Sequence, residues 1–361
     1  FDLSNLTSNN LGYSYKRAKI AWYTIDNIFY LNGGSQKPGN ISLEDLQNNY
    51  VKAVSPQDIF RQQDRQLINT NLPIFDIAYF PSERGQYNYN PDLLPSGLLR
   101  NPQFNYGAIT KSITNDTDFD RTNIQYIEFW LMDPFIGGEN GKVLDGLFNR
   151  NNTTGGKLIF NLGNVSEDIM KDNIHAFENG LPPDYSNDGI KINEWGRVTS
   201  KQYLTKFFEN NNLSRENQDI GLDGLKNIDE ISHFKEDFVD KLSLTGEGLS
   251  KIESDVSADN FNYYLGENLD ESNKKILERY KNINGMEGNT PLSSNKNFSS
   301  QGSPYPENED LNEDNTLSDL ESYYEYEIDL IPDQLEIGKN NIVDKIVDKS
   351  GDATWYQFRI P

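Results

Sequence analysis

The chain has 361 residues, with 33 Lys and Arg against 56 Asp and Glu, giving a formal net charge of −23. A field of that sign repels phosphate backbones and anionic lipid headgroups, which excludes nucleic acid as a partner. Cysteine is absent, so disulfides and thiol chemistry are excluded too, and the composition fits an envelope or extracellular bacterial setting. The length allows one large domain or two ordinary ones. Aromatic residues make up 12% of an otherwise hydrophilic chain, which points to a core built from Tyr, Phe and Trp on strands. No run of about 18 apolar residues occurs, so no transmembrane helix is expected. The start at Phe1 reads as a processed product or a piece of something longer.

The first predicted strand is "KIAWYTIDNIFY", residues 19–30. A polar stretch with Gly33, Gly34, Pro38 and Gly39 separates it from a second at residues 74–80, which Pro81 is expected to end. "IQYIEFWLMDPF", residues 124–135, is apolar on both faces when read with period two, interrupted by Glu128 and Asp133. A barrel strand would alternate a lipid side with a wetter side, so this run reads as a strand covered on both faces inside a water-soluble sheet. Residues 157–162 supply a further strand.

Character changes at Ser166. "SEDIMKDNIHAFENGLPP" combines a serine N-cap, acids in the first turn, apolar Ile169, Met170, Ile174 and Phe177, and a stop at Asn179, Gly180 and Pro182, which predicts a helix. Further helices are expected from Thr199 through "KQYLTKFFEN", over 228–242, and over 270–285. Strand character returns in "YYEYEIDL", where Tyr324, Tyr326, Ile328 and Leu330 share one face, and in "WYQFRIP", where Tyr356, Phe358 and Ile360 do. Strands at both ends around a helical middle predict a mainly β fold. Residues 1–165 and 296–361 would form a discontinuous jelly-roll-like β-sandwich, with 166–295 inserted as a helical and loop-rich lobe.

The runs "AKIAWYTIDNIFY", "DIAYFPSERGQYNYNP", "NIQYIEFWLMDPF", "GGKLIFNLGNVSEDI", "DIGLDGLKN", "ILERYKNINGMEGNTP" and "EDNTLSDLESYYEYEIDL" together resemble the SprA family, very large outer-membrane proteins of gliding motility and type IX secretion. The resemblance lies with the soluble N-terminal-type region of that family. It implies a non-enzymatic segment folded outside the bilayer and joined to a giant β-barrel that conducts folded cargo. The partners it implies are the rest of that barrel, a PorV-type shuttle protein, a periplasmic plug protein and secreted cargo. No family motif assigns any of these to particular residues. An extracellular cap is the favoured placement, with the periplasmic side as the other.

The most specific local pattern is "DLNEDNTLSDLE". Asp310, Asn312, Asp314, Thr316, Ser318 and Glu321 occupy positions one, three, five, seven, nine and twelve of an oxygen-ligand calcium loop. Asn315 stands at the sixth position in place of the usual Gly, a substitution the left-handed backbone tolerates. No Lys or Arg lies between Lys296 and Lys339, so these carboxylates repel one another unless a cation such as Ca2+ joins them. The same run also reads as a solvated acidic linker. A poorer pattern, Asp184, Ser186 and Asp188 before Gly189, has Trp195 at its twelfth position and reads as a turn.

Catalytic signatures are missing. His175 and His233 fall in separate predicted helices without an HExxH pattern, and no GxSxG elbow or GxxxxGK[ST] loop occurs. A competing reading is a calcium-stabilised carbohydrate-binding sandwich. Its stacking platform would come from Trp22, Trp130, Trp195 or Trp355, of which Trp195, in a polar Gly-flanked stretch, is the one suited to ligand contact.

Overall fold

The computed structural model describes residues 10–31, 37–61, 71–115, 117–199, 206–291 and 305–361. The strands are β1 (Ala18–Tyr23), β2 (Asp76–Arg84), β3 (Ile127–Met132), β4 (Lys142–Val143), β5 (Arg150–Asn151) and β6 (Gly156–Asn164), followed by β7 (Ile190–Asn193), β8 (Gly196–Thr199), β9 (Ser322–Leu330), β10 (Ile342–Val347) and β11 (Thr354–Ile360). The α-helices are short: α1 (Pro56–Ile59), α2 (Asn212–Gln218), α3 (Asn227–His233), α4 (Glu247–Glu253), α5 (Glu267–Glu271) and α6 (Ile276–Arg279). All ladders between these strands are antiparallel. The fold is β-rich, as the sequence predicts.

The expected sandwich is built from chain segments far apart in sequence. One sheet runs in the order β10-β11-β3 and the other pairs β6 with β9. Their inner faces share one core, in which Tyr356, Phe358 and Ile360 meet Ile127, Phe129 and Leu131 from the first sheet and Leu158, Phe160, Tyr326 and Ile328 from the second. Phe129 stacks on Phe358 with ring centres 5.2 Å apart, and lies 5.4 Å from Phe160 across the sheets. The period-two faces of β9 and β11 are therefore correctly assigned by their alternation.

The back of the three-stranded sheet is covered as well. Trp130, Met132, Ile346 and Trp355 pack against Val54, Ile59, Leu72 and Ile74, from α1 and its surroundings. The double-sided run 124–135 thus has protein on both faces, and of its apolar residues only Ile124 and Tyr126, ahead of β3, are left exposed.

β1 and β2 lie outside this sandwich. Their core joins Ala21, Tyr23, Phe29 and Phe80 to Tyr264, Ile276, Leu277 and Tyr280. Tyr23 stacks on Tyr280 at 4.3 Å, and Tyr280 on Tyr264 at 4.7 Å. Asp26 locks the column from its polar end, since its N–H donates to the Tyr280 hydroxyl and its carboxylate accepts from the Tyr264 hydroxyl. A further core unites Tyr87, Tyr89, Leu93 and Leu99 with Met170, Trp195, Phe234 and Phe238. Two cores therefore cross the predicted division at 165/166, tying the first third of the chain to the middle.

The predicted helices fare unevenly. No helix forms over 166–179: Lys171 and Asn173 adopt left-handed backbone (φ 55° and 59°), and the amides that a helix would pair internally go to side-chain carboxylates instead. The expected helix from Thr199 is also absent where described. Thr199 ends β8, residues 200–205 lie outside the described segments, and the next helix starts only at α2, where the Asn211 side chain caps the Ser214 amide at 2.9 Å. The 228–242 prediction survives as α3 plus a 3-10 turn at Val239–Lys241. The 270–285 prediction divides into α5 and α6, because Asn273 takes the left-handed conformation (φ 54°) that ends a helix. Nor does Pro81 end β2, which continues to Arg84. The register shift between Ala18 and Lys19 places Pro81 in an irregularity of the ladder, where its missing N–H costs no pairing. Among the described residues no helix is long and apolar enough to cross a membrane.

Truncation of Phe358, none of whose side chain is exposed, is expected to cost about 3–5 kcal/mol. Tyr324→Ala, on a strand face but 77% exposed, is expected to cost no more than about 0.5 kcal/mol; urea unfolding of both variants checks the contrast. A second expectation concerns Asp76 at the start of β2, whose carboxyl burial pushes up to about 7 against a hydrogen bond from the Ile25 amide. A raised acid favours the folded state while protonated, so its contribution is full below the ordinary carboxylate range and is lost as pH rises towards 7. Asp76→Asn should therefore gain melting temperature relative to the parent between pH 5 and pH 8.

Candidate metal centre

Residues 310–321 form a chain of bends that runs straight into β9, so no exit helix follows. Asp310 is buried and accepts from the amides of Asp314 (3.0 Å) and Asn315 (3.2 Å). The Asn312 side chain accepts from the Asp314 amide and Asp314 from the Thr316 amide, each at 2.8 Å. Asn315 adopts the left-handed conformation its position requires (φ 63°). The Ser318 amide donates to Glu167, and Glu321 faces Lys171 at 3.5 Å. Lys206 lies 3.5 Å from Glu313 and 3.9 Å from Asp310, so the fold brings ammonium groups to a stretch that has none of its own. Asp310, Asp314 and Glu321 do not gather one oxygen each within 4.8 Å of one another. Asp184 accepts from the Ser186 amide at 3.1 Å, a local turn.

This loop is braced against residues 166–180 by an exchange of carboxylates. Glu167 accepts from the amides of Asn312 (3.1 Å) and Ser318 (3.2 Å). In return Glu309, fully buried, accepts from Ile169 (2.6 Å), Met170 (3.1 Å) and Ala176 (2.8 Å). Burial pushes the Glu309 carboxyl up to about 8, against the backbone donors that favour its charge. Asp168 meets the amides of Asp172 and Asn173. The amides of Ile169, Met170, Asp172, Asn173, Ile174 and Ala176 thus find side-chain partners without a helix.

A second carboxylate group lies deeper, where three connections converge. Glu230 projects from α3, Asp259 follows α4, and Glu287 follows α6. Each offers an oxygen within 4.8 Å of the other two. Glu230 and Asp259 have no exposed surface. One Glu230 oxygen accepts from the Ser257 amide at 2.9 Å and Glu287 accepts from the Asn227 side-chain amide at 2.8 Å, but Glu230 Oε1 and both Asp259 oxygens have no donor among the described residues. Gly221, at φ 77°, makes the room: a Cβ there would stand 2.3 Å from Asp259 Oδ2. Asp223 packs alongside, accepting from Leu225 and Ser257. Burial, reinforced by the neighbouring carboxylates, raises Asp259 and Asp223 well above the ordinary range, Glu230 to about 7 and Glu287 to about 8.

The sequence reading missed this group, although a signal was present. Asp168/Asp172, Asp255/Asp259, Asp310/Asp314 and Asp348/Asp352 share one spacing, and in each pair the first carboxylate accepts from the amide of the second residue, at 3.0–3.2 Å. Such turns place the second aspartate reproducibly.

Trp195 overturns its expected exposure. None of its surface is accessible, and it packs edge-on against Tyr89 at 6.0 Å with Arg17 at 5.7 Å from its ring, because its β7–β8 hairpin folds under the central core. Trp355 is buried as well. His175 and His233 contact Phe177 and Phe234 respectively, and burial lowers His233.

Residues 237–361 match the SprA_N family model, described as a motility related/secretion protein. They form a SprA-type segment. A comparison with curated proteins gives no match. The SprA-type segment contains Asp259, Glu287, the 310–321 loop and strands β9 to β11. It does not fold on its own strands alone: β11 pairs with β3, β9 with β6, and Tyr264 and Tyr280 pack on β1.

Glu309→Ala removes the shared acceptor of three backbone amides, two of them on fully buried residues. A loss of about 3 kcal/mol or more is expected in denaturant unfolding, with Glu309→Gln costing less because its amide oxygen still accepts.

Proposed function

We propose that this chain is a non-enzymatic, extramembrane part of a SprA-like outer-membrane translocon serving type IX secretion and gliding motility, set on the extracellular face. The observation that carries the reading is the SprA_N match over 237–361. The packing supports extending it to the rest of the chain, since β9 pairs with β6, β11 with β3, and the cores of the matched segment are completed by earlier residues.

The role is steric and mechanical. Aromatic cores stiffen the module, and an exterior carrying much of the −23 charge limits adhesion to an anionic envelope. Its partners are the remainder of the barrel, a PorV-type shuttle protein, a plug protein and passing cargo. The carbohydrate-binding alternative loses its preferred stacking platform with Trp195, which belongs to the core.

A protease site inserted after Thr110, in an exposed irregular segment, tests the placement. Cleavage on intact cells is expected. Protection until the outer membrane is permeabilised would overturn the extracellular assignment, and normal secretion and spreading by cells lacking residues 1–361 would overturn the translocon role.

A further inference from the structure

We propose that Glu230, Asp259 and Glu287 form a buried binding site for a hard divalent cation, Ca2+ in preference to Mg2+. The site owes nothing to the 310–321 pattern and is independent of the secretion reading.

The first argument is hydrogen-bond accounting. Buried polar atoms in folded proteins are almost always paired, and most carboxylates inside this protein accept from backbone amides. Asp259 is the exception, with no exposed surface and no donor to either oxygen among the described residues. Glu230 Oε1 shares that condition, and both side chains converge with Glu287. The charges bearing most on Asp259 are those of Asp223, Glu230, Asp255 and Glu287, all carboxylates. The buried guanidinium of Arg84 directs its donors to the carbonyl oxygens of Asn88 and Val256 and makes no ion pair with the group. A cation is what these oxygens lack.

Geometry and donor type select the ion. With the three oxygens all within 4.8 Å of one another, a point no farther than about 2.8 Å from each exists, which small side-chain adjustments bring to Ca–O bond lengths of about 2.3–2.6 Å. Mg2+, at about 2.0–2.1 Å, demands a near-ideal octahedron and usually keeps several waters, which a buried all-protein carboxylate set does not offer. An all-oxygen set in a chain without cysteine, with both histidines packed on phenylalanines, does not suit the softer metals. The framework is already braced: Asn227 holds Glu287 and exchanges hydrogen bonds with Asn260, while the Ser257 amide orients Glu230.

The test is a calorimetric titration of the chelator-treated chain with Ca2+ and, separately, Mg2+ at pH 8, alongside thermal melts. Ca2+ is expected to bind at least tenfold more tightly than Mg2+. At a hundredfold excess over its dissociation constant it should raise the melting temperature by about 4 °C or more. Asp259→Asn and Glu287→Gln should each weaken that binding at least tenfold, and Asp314→Asn should leave it in place. Glu287 is only partly buried, so its variant keeps the test usable if Asp259→Asn fails to fold. The proposal is overturned if the parent binds no Ca2+, if protons alone restore stability on lowering pH while Ca2+ at pH 8 does nothing, or if only Asp314→Asn abolishes binding.

Discussion

Short regular elements leave much of this backbone without a helix or ladder partner, and side-chain carboxylates and carboxamides supply the missing acceptors. Glu309 holds three amides of the 166–180 loop, Glu167 holds two of the 310–321 loop, and Glu178 joins the amides of Gly221 and Glu307. A carboxyl group offers several lone-pair sites on two oxygens, so it matches clustered N–H groups well. The acidic balance of the chain is in part an internal framework, not only a solvated surface. The same accounting makes Asp259 conspicuous, since it has the burial of a framework residue without the donors.

The strands were legible because their signal is local. Alternation in β9 and β11 assigns the inner faces directly, and the apolar run of β3, interrupted at Glu128 alone, announces cover on two sides. The helices were poorly legible because the features that mark a helix start also describe an acid-rich loop. Ser166 to Phe177 offers acids at the beginning and apolar residues at plausible intervals, yet Met170 points to a core while amides nearby turn towards Glu309, distant in sequence. No local window contains that partner. Trp195 is a similar case: its polar, Gly-flanked surroundings suggested exposure, whereas the hairpin carrying it is covered by Tyr89, from residues far upstream.

The candidate sites divide along the same line. The calcium-like spacing at Asp310 correctly anticipated a loop with a left-handed Asn315 leading into a strand, because backbone turns follow local chemistry. What surrounds that loop, including Lys171 and Lys206, is tertiary. The Glu230, Asp259 and Glu287 group draws on three separate connections and leaves only the Asp-x-x-x-Asp spacing as a local trace. Its other two members carry no sequence mark.

The pairing of β3 with β11 bears on the order in which the molecule can be completed. Residues 127–132 precede by more than two hundred positions the strand that covers them, 354–360, and β6 likewise waits for β9. Loop-closure entropy on that scale slows such contacts, and nothing local replaces them. The aromatic layers therefore close only once β9 and β11 are in place. Until then Phe129, Trp130 and Phe160 lack the layer that covers them in the folded protein.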